Sequence, residues 1–340
     1  MSESSLVRAS DNAVIAVLGM SIDTDIDSWC YTFRATLGNK AALDLCKPTA
    51  VGPVEVVATI NGYSFNMYIE GYSERGAFGQ TSYSVVGRSK AVELAAPYAE
   101  PETHTYSSTL NISQLFDQEK DRVMGMYSGN WTAIWDFTET VNESIPANTF
   151  TYQDKTPIEA MVTLAKSCGG FVMHDRTERT IRVKPVYKKN PWDFAPADAD
   201  ITLDHSYIVS TGHDWKPTPV KNGVFVAGTT DDGWLGKIKR LGSDGLTLVP
   251  MVTDPLLVTA ALARERGRYE INKTGRKGEY SLELPVSPEV VLFEPGKVAH
   301  IYEADTNWYG VVSGVSLQSQ RTSGGPVIVR QQVRLERHYE

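Results

Sequence analysis

Two stretches near opposite ends of the chain share one pattern, and that pairing limits the possible folds more than any other feature. Residues 61–74, NGYSFNMYIEGYSE, set an Asn-Gly turn between the run VEVVATI and a long strand-like run. Asn-Gly between two apolar runs marks a tight hairpin, because both residues tolerate positive φ. Residues 301–319, IYEADTNWYGVVSGVSLQS, repeat the arrangement near the other end. The flanking segments follow suit. The N-terminal unit reads as strand 28–37, a Pro/Gly loop, strand 54–60, the turn, long strand 64–74, loop 75–81 and strand 82–89. The C-terminal unit reads as strand 279–286, a Pro/Gly loop, strand 297–303 and a turn at Ala304-Asp305-Thr306-Asn307. Long strand 308–320, loop 321–326 and strand 327–337 complete it. Lengths, order and loop chemistry match while residue identity barely does, which is the signature of a duplicated four-strand unit. Two unrelated meanders of similar length remain the alternative at this point.

Between the units the pattern changes. TLNISQLFDQEKDRVMG reads as a helix, and NWTAIWDF as an aromatic run. TPIEAMVTLAKSCGG is the best-marked helix, with Thr156 as N-cap, Pro157 at the first position, Glu159 closing a capping box and Gly169 as the stop. FVMHDRTERTIRVKPVY reads as a hairpin. SKAVELAAPY predicts a short helix capped by Ser89. Residues 191–220 read as a Pro- and Asp-rich linker, and VFVAGTTDDGWLGKIKRL as a further hairpin. A long helix is expected over 255–272, capped by Thr253 or Asp254 with Pro255 at its first position. The expected class is α+β, mainly β: two similar antiparallel β-barrel domains with a small α/β module between them. The boundaries are 1–95, 96–190 and 191–340, the last including the linker and the long helix.

Charge excludes one class of function. The chain has 33 basic and 41 acidic residues, and the excess of acids recurs in each third, so no domain offers the basic footprint that grips nucleic acid. Cys30, Cys46 and Cys168 show no CxxC or zinc-like spacing and read as buried thiols. The acidic, polar leader is unlike a signal peptide, and no run approaches the ~20 apolar residues of a membrane span. The expectation is a protein made and kept in a reducing cytoplasm, or released on lysis.

No catalytic motif is present: neither GxSxG, HExxH, a P-loop nor a placed GxGxxG. Asp204 with His205, and His213 with Asp214, lie near Asp193, Asp198 and Asp200. Their spacing fits no defined metal loop, and they read as turn caps and solvated loop residues. The basic run from Arg264 to Lys277 is interrupted by Glu265 and Glu270 and reads as a solvated helix end rather than a partner site. Trp131, Trp135, Trp192, Trp215, Trp234 and Trp308 read as core or interface anchors. Catalytic, cofactor and metal residues are therefore all expected to be none.

With these residues in view, the chain resembles the baseplate or tail-tip hub proteins of tailed bacteriophages. NGYSFNMYIEGYSE with SYSVVGRSKAVEL is similar to the family's first module, and TPIEAMVTLAKSCGGFVMHD to its middle module. LFEPGKVAHIYEADTNWYGVVSGVSLQS with VIVRQQVRLERHY is similar to its closing module. The likeness spans nearly the whole chain except the linker 191–220, and each motif is short and degenerate. It implies a non-enzymatic virion protein assembled in the host bacterial cytoplasm: a homotrimer whose paired β domains form a six-domain ring. Such a hub adapts the sixfold tail tube, or a distal tail protein, above it to a threefold spike or fibre protein below. The tape-measure protein and then DNA would pass through its lumen without specific binding, and no contact with membrane lipid is implied. A tail-associated carbohydrate-active hydrolase and a receptor-binding accessory protein are the rival readings.

Overall fold

The computed structural model describes residues 3–49, 52–122, 131–302, 307–321 and 325–339. The first unit holds β1 (Ser4–Arg8), β2 (Val14–Ile15), β3 (Val17–Asp25), β4 (Thr32–Leu37), α1 (Lys40–Cys46), β5 (Val54–Ile60), β6 (Tyr63–Ala77) and β7 (Gln80–Ser89). The Asn61-Gly62 turn forms as its chemistry requires, with φ of 45° and 81°. Strands β5 and β6 then pair from Ile60↔Tyr63 to Val54↔Ile69.

The middle module holds β8 (Glu102–Thr105), β9 (Leu110–Asn111), α2 (Ile112–Lys120), β10 (Thr132–Trp135), β11 (Ser144–Ile145), β12 (Thr151–Lys155), α3 (Pro157–Ser167), β13 (Gly170–His174) and β14 (Thr180–Pro185). Helix α3 has the expected capping box: Glu159 accepts from the Thr156 backbone N–H at 2.8 Å. Gly169, at φ 79°, ends it, and β13 and β14 form the expected hairpin.

The rest of the chain supplies β15 (Ile201–Asp204), β16 (Ser210–Trp215), β17 (Gly223–Ala227), β18 (Leu235–Lys239), β19 (Leu248–Thr253), α4 (Ala260–Asn272), β20 (Lys277–Pro285), β21 (Val298–Tyr302), β22 (Asn307–Arg321) and β23 (Val327–His338). The hairpin expected over 224–241 is β17–β18.

The duplication is real in three dimensions. In the first unit β4 pairs β7, β7 pairs β6 and β6 pairs β5; in the second β20 pairs β23, β23 pairs β22 and β22 pairs β21, all antiparallel. The long strands β6 and β22 each have 15 residues. Each also carries a register shift against its partner, at Ile69/Gly71 in one and Val312/Gly314 in the other. Residues 304–306 of the second turn and 322–324 of the second loop lie outside the described residues.

The two units are fused rather than merely adjacent. Residues 314–320 of β22 pair with 19–25 of β3, and β3 pairs with β4, so one 13-stranded sheet runs through both units. One hydrophobic cluster likewise holds Phe33, Phe65 and Met67 together with Leu284, Ile301 and Leu317. A second cluster fills the middle module and gathers in Val224, Val226, Leu257 and Leu262, so α4 and the β17–β18–β19 sheet pack there.

Several local expectations are corrected. The long helix starts at Ala260, with Thr259 Oγ1 accepting from Leu262 N at 3.3 Å, and not at Pro255. Asp254 caps a turn instead, accepting from Leu256 N at 2.9 Å, because Leu256 and Leu257 must leave the helix line to reach the core. The segment after Ser89 is a single 3-10 turn, Lys90–Leu94, and Ser89 Oγ accepts from Tyr31 N rather than capping a helix. The expected helix over 109–125 is shortened: Leu110–Asn111 is a strand, Asn111 caps α2, and residues 123–125 lie outside the described residues. The first Pro/Gly loop contains α1, capped by Asn39. The linker contributes β15, which lies parallel to β21, and β16, which lies antiparallel to β20.

Candidate functional site

Strand alternation gives the fused sheet one buried face and one polar face. On β4, Phe33, Ala35 and Leu37 point into the core while Thr32, Arg34 and Thr36 face solvent. The registers carry that polar face across both units in rows. One row runs Glu283, Gln332, Ser316, Asp23, Thr32, Arg88 over β20, β23, β22, β3, β4 and β7. The next runs Arg330, Gln318, Ser21, Arg34.

Some charges on this face are paired, while Arg34, Arg75 and Arg321 have no carboxylate at ion-pair distance among the described residues. Arg334 meets Asp25 at 3.0 Å, Arg88 meets Glu70 at 2.7 Å and Arg330 meets Glu283 at 3.5 Å. Ser21 donates to Asp23 at 3.3 Å, and Gln318 donates to Ser316 at 3.1 Å. The result is a hydroxyl- and amide-rich surface that carries both these ion pairs and the unpaired guanidinium groups of Arg34, Arg75 and Arg321. At both ends the sheet stays open: β16 pairs only β20, exposes all six of its residues, and presents a free edge among the described residues. Val14 of β2 is exposed at the opposite end.

The middle module is clamped to both units by carboxylates that local sequence does not mark. Glu93, fully buried, accepts from Arg179 Nε and Nη2 at 2.9 and 2.8 Å and from the Tyr68 hydroxyl at 2.6 Å. Beside it, the Asn66 side chain donates to Thr177 O, fixing the tip of the β13–β14 hairpin on β6. On the second unit, Glu336 accepts from Tyr187, Lys277 and His338. Burial alone would raise the Glu336 carboxyl, but these partners outweigh it and hold it near about 2. A third buried acid, Glu119, binds Tyr106, Tyr152 and Arg122 within the module.

The residues weighed from the sequence are dispersed. Asp204 caps a turn through Ser206 N, Asp198 pairs Lys189, Asp200 pairs Lys188, and Asp193 accepts from Asn190. His205 and Asp214 are exposed, and His213 stacks on Tyr280 with ring centroids 4.4 Å apart. Among the described residues no group of three or more His, Cys, Asp and Glu side chains converges as a metal site would require. In the basic run, Arg266 pairs Glu270, Arg268 pairs Glu265 and Lys277 pairs Glu336. Trp131, Trp135 and Trp308 are buried, while Trp215 stands half exposed on β16. All three thiols are free and buried, and burial pushes Cys30 up to about 12. Among the described residues no helix is long and apolar enough to cross a membrane.

Known structures share this architecture from end to end. The tail protein from Neisseria meningitidis MC58 aligns with a TM-score of 0.65 at 13% identity, over 98% of this chain and 96% of that one. The fold is that of tail proteins. The 43 kDa tail protein of prophage MuSo2 from Shewanella oneidensis gives 0.65 at 14% identity, over 98% of both chains. An Escherichia coli component of the type VI secretion system, itself structurally similar to T4 bacteriophage tail proteins gp27 and gp5, gives 0.57 at 10% identity. That match spans 98% of this chain and 77% of that one. No protein-family model matches the sequence, and no curated protein matches it. The tail-protein fold is thus kept while residue identity is nearly gone.

Proposed function

We propose that this chain is a structural virion protein, the homotrimeric hub of a phage tail baseplate or tail tip. The observation that carries the reading is the repeated strand order, β4-β7-β6-β5 and β20-β23-β22-β21, within one chain. Two like units per chain and three chains give six like units around an axis, which fits a sixfold tube on one side and a threefold spike or fibre on the other. Among the described residues β16 and β2 end the sheet with free edges, which supply places for neighbours to join. The polar face of the fused sheet is the natural lining of the channel. Its Ser, Thr and Gln side chains and ion pairs give a passing tape-measure protein or DNA a hydrated polar wall. Its place is the virion, after assembly in the host cytoplasm.

The role is non-enzymatic in this proposal. The buried acids Glu93, Glu119 and Glu336 are each engaged by cations or tyrosine hydroxyls, which suits fixed clamps better than proton transfer. Light scattering and negative-stain microscopy of the purified protein test the hub. Three copies in a ring with a central pore are expected; a monomer at all concentrations, or a ring of another order, overturns it. Turnover of host polysaccharide or peptidoglycan by the same preparation would overturn the non-enzymatic part.

A further inference from the structure

Where the second β unit meets the β17–β19 sheet and the segment after β14, the surface opens into a cavity of about 670 Å³. Lys221, Arg240, Arg276 and Arg337 line it. Nearby bases are neutralised, Lys188 by Asp200, Lys189 by Asp198 and Lys277 by Glu336. Among the described residues the four cavity cations have no carboxylate at ion-pair distance. On a chain with 33 bases against 41 acids, these four unmatched cations make the cavity a locally positive site.

Aromatic rings organise two of these cations. The Arg240 guanidinium carbon lies 4.0 Å from the Trp192 ring centroid, and that of Arg337 lies 4.8 Å from both Trp308 and Tyr339. A guanidinium held over a ring loses conformational freedom yet keeps its N–H edge for an oxyanion. Phe194 and Val220 add apolar wall beside the cations.

We propose that this cavity binds a short carboxylate-rich peptide segment of another protein. An Asp or Glu side chain lays its methylene groups on the apolar wall while its carboxylate meets the guanidinium edges. Confinement argues for a short acidic segment over a nucleic acid. Strand binding needs cations along a track, whereas here they are gathered in one concavity. The proposal stands on the cavity itself, so ring formation can fail while it holds, and the reverse.

The test uses the full chain and a fluorescein-labelled hexaglutamate peptide, followed by anisotropy at low and high salt. Saturable, salt-sensitive binding is expected, falling about tenfold or more in the pair Lys221→Gln/Arg240→Gln. Because Arg276 is exposed, Arg276→Glu leaves folding intact and should weaken binding with no change in melting temperature. A labelled oligothymidylate of equal charge runs in parallel. No saturable peptide binding, equal binding by the variants, or tighter binding of the oligonucleotide overturns the proposal.

Discussion

His174 shows how a single side chain couples this fold to pH. It is buried against Trp131 and Tyr31, and neither ring nitrogen has a hydrogen-bond partner among the described residues. Burial lowers its pKa to about 3. Below the ordinary histidine pKa the unfolded chain takes up a proton that the folded chain refuses, so stability falls as pH drops. The slope approaches ~1.4 kcal/mol per pH unit between the unfolded value of about 6.5 and about 3. His174→Leu should flatten the decline between pH 6.5 and 5, read as urea midpoints; an unchanged slope would refute the assignment. Glu336 adds a second acid limb. Its carboxyl is lowered from 4.5 to about 2, so its contribution is complete above 4.5 and lost as pH falls toward 2. The Glu93–Arg179 clamp gives a third expectation. Arg179→Ala strands a buried carboxylate and should cost about 2–3 kcal/mol, discounted because the arginine is partly exposed. Adding Glu93→Gln should recover part of that loss in a double-mutant cycle. None of these clamps was legible locally, because each joins residues far apart in the chain.

Among the elements, sequence read best where a local rule governs. The Asn61-Gly62 turn, the Thr156–Glu159 capping box and the 54–60 strand emerge as expected. It read worst at β3, the strand that joins the two units. VLGMSIDTD buries only Met20 and Ile22 fully, so its alternation is faint, and its place is set by partners on both sides. The shortfall at α4 has another cause. Asp254-Pro255 is a sound cap signal, but Leu256 and Leu257 gain more by burial than by extending the helix. The long hairpins rest on close backbone approach. A Cβ on Gly87 would lie 1.9 Å from Tyr68 O, whereas one on Gly76 would meet nothing within 4 Å. Gly87→Ala should therefore cost about 3 kcal/mol, and Gly76→Ala less than ~0.5 kcal/mol. Thermal unfolding of the two variants checks this; equal melting temperatures would show that β6 and β7 yield to the added methyl.

On the scale of the whole molecule, the two β units share a sheet and a core and should not fold apart. A fragment of residues 191–340 leaves the 314–320 edge of β22 without β3 and strips cover from Val315 and Leu317. It should be aggregated or unfolded by circular dichroism and gel filtration. A soluble fragment with full β content would mean the fusion is dispensable. The exposed ion pairs of the polar face imply a further outcome. Raising salt should change the stability of the β units little, since exposed pairs such as Arg330–Glu283 contribute under ~1 kcal/mol each.

By itself the sequence determined the repeat, because hairpin chemistry and strand length act over a few residues and leave a pattern that survives loss of identity. It also determined the mainly β class and the even acidity, which are sums over composition. Only the tertiary structure decided that β3 welds the repeats into one sheet, that α4 packs with the middle module, and that Lys221, Arg240, Arg276 and Arg337 meet around one cavity. Each of those depends on pairings between distant segments, whose energies are set by burial and register in the folded chain.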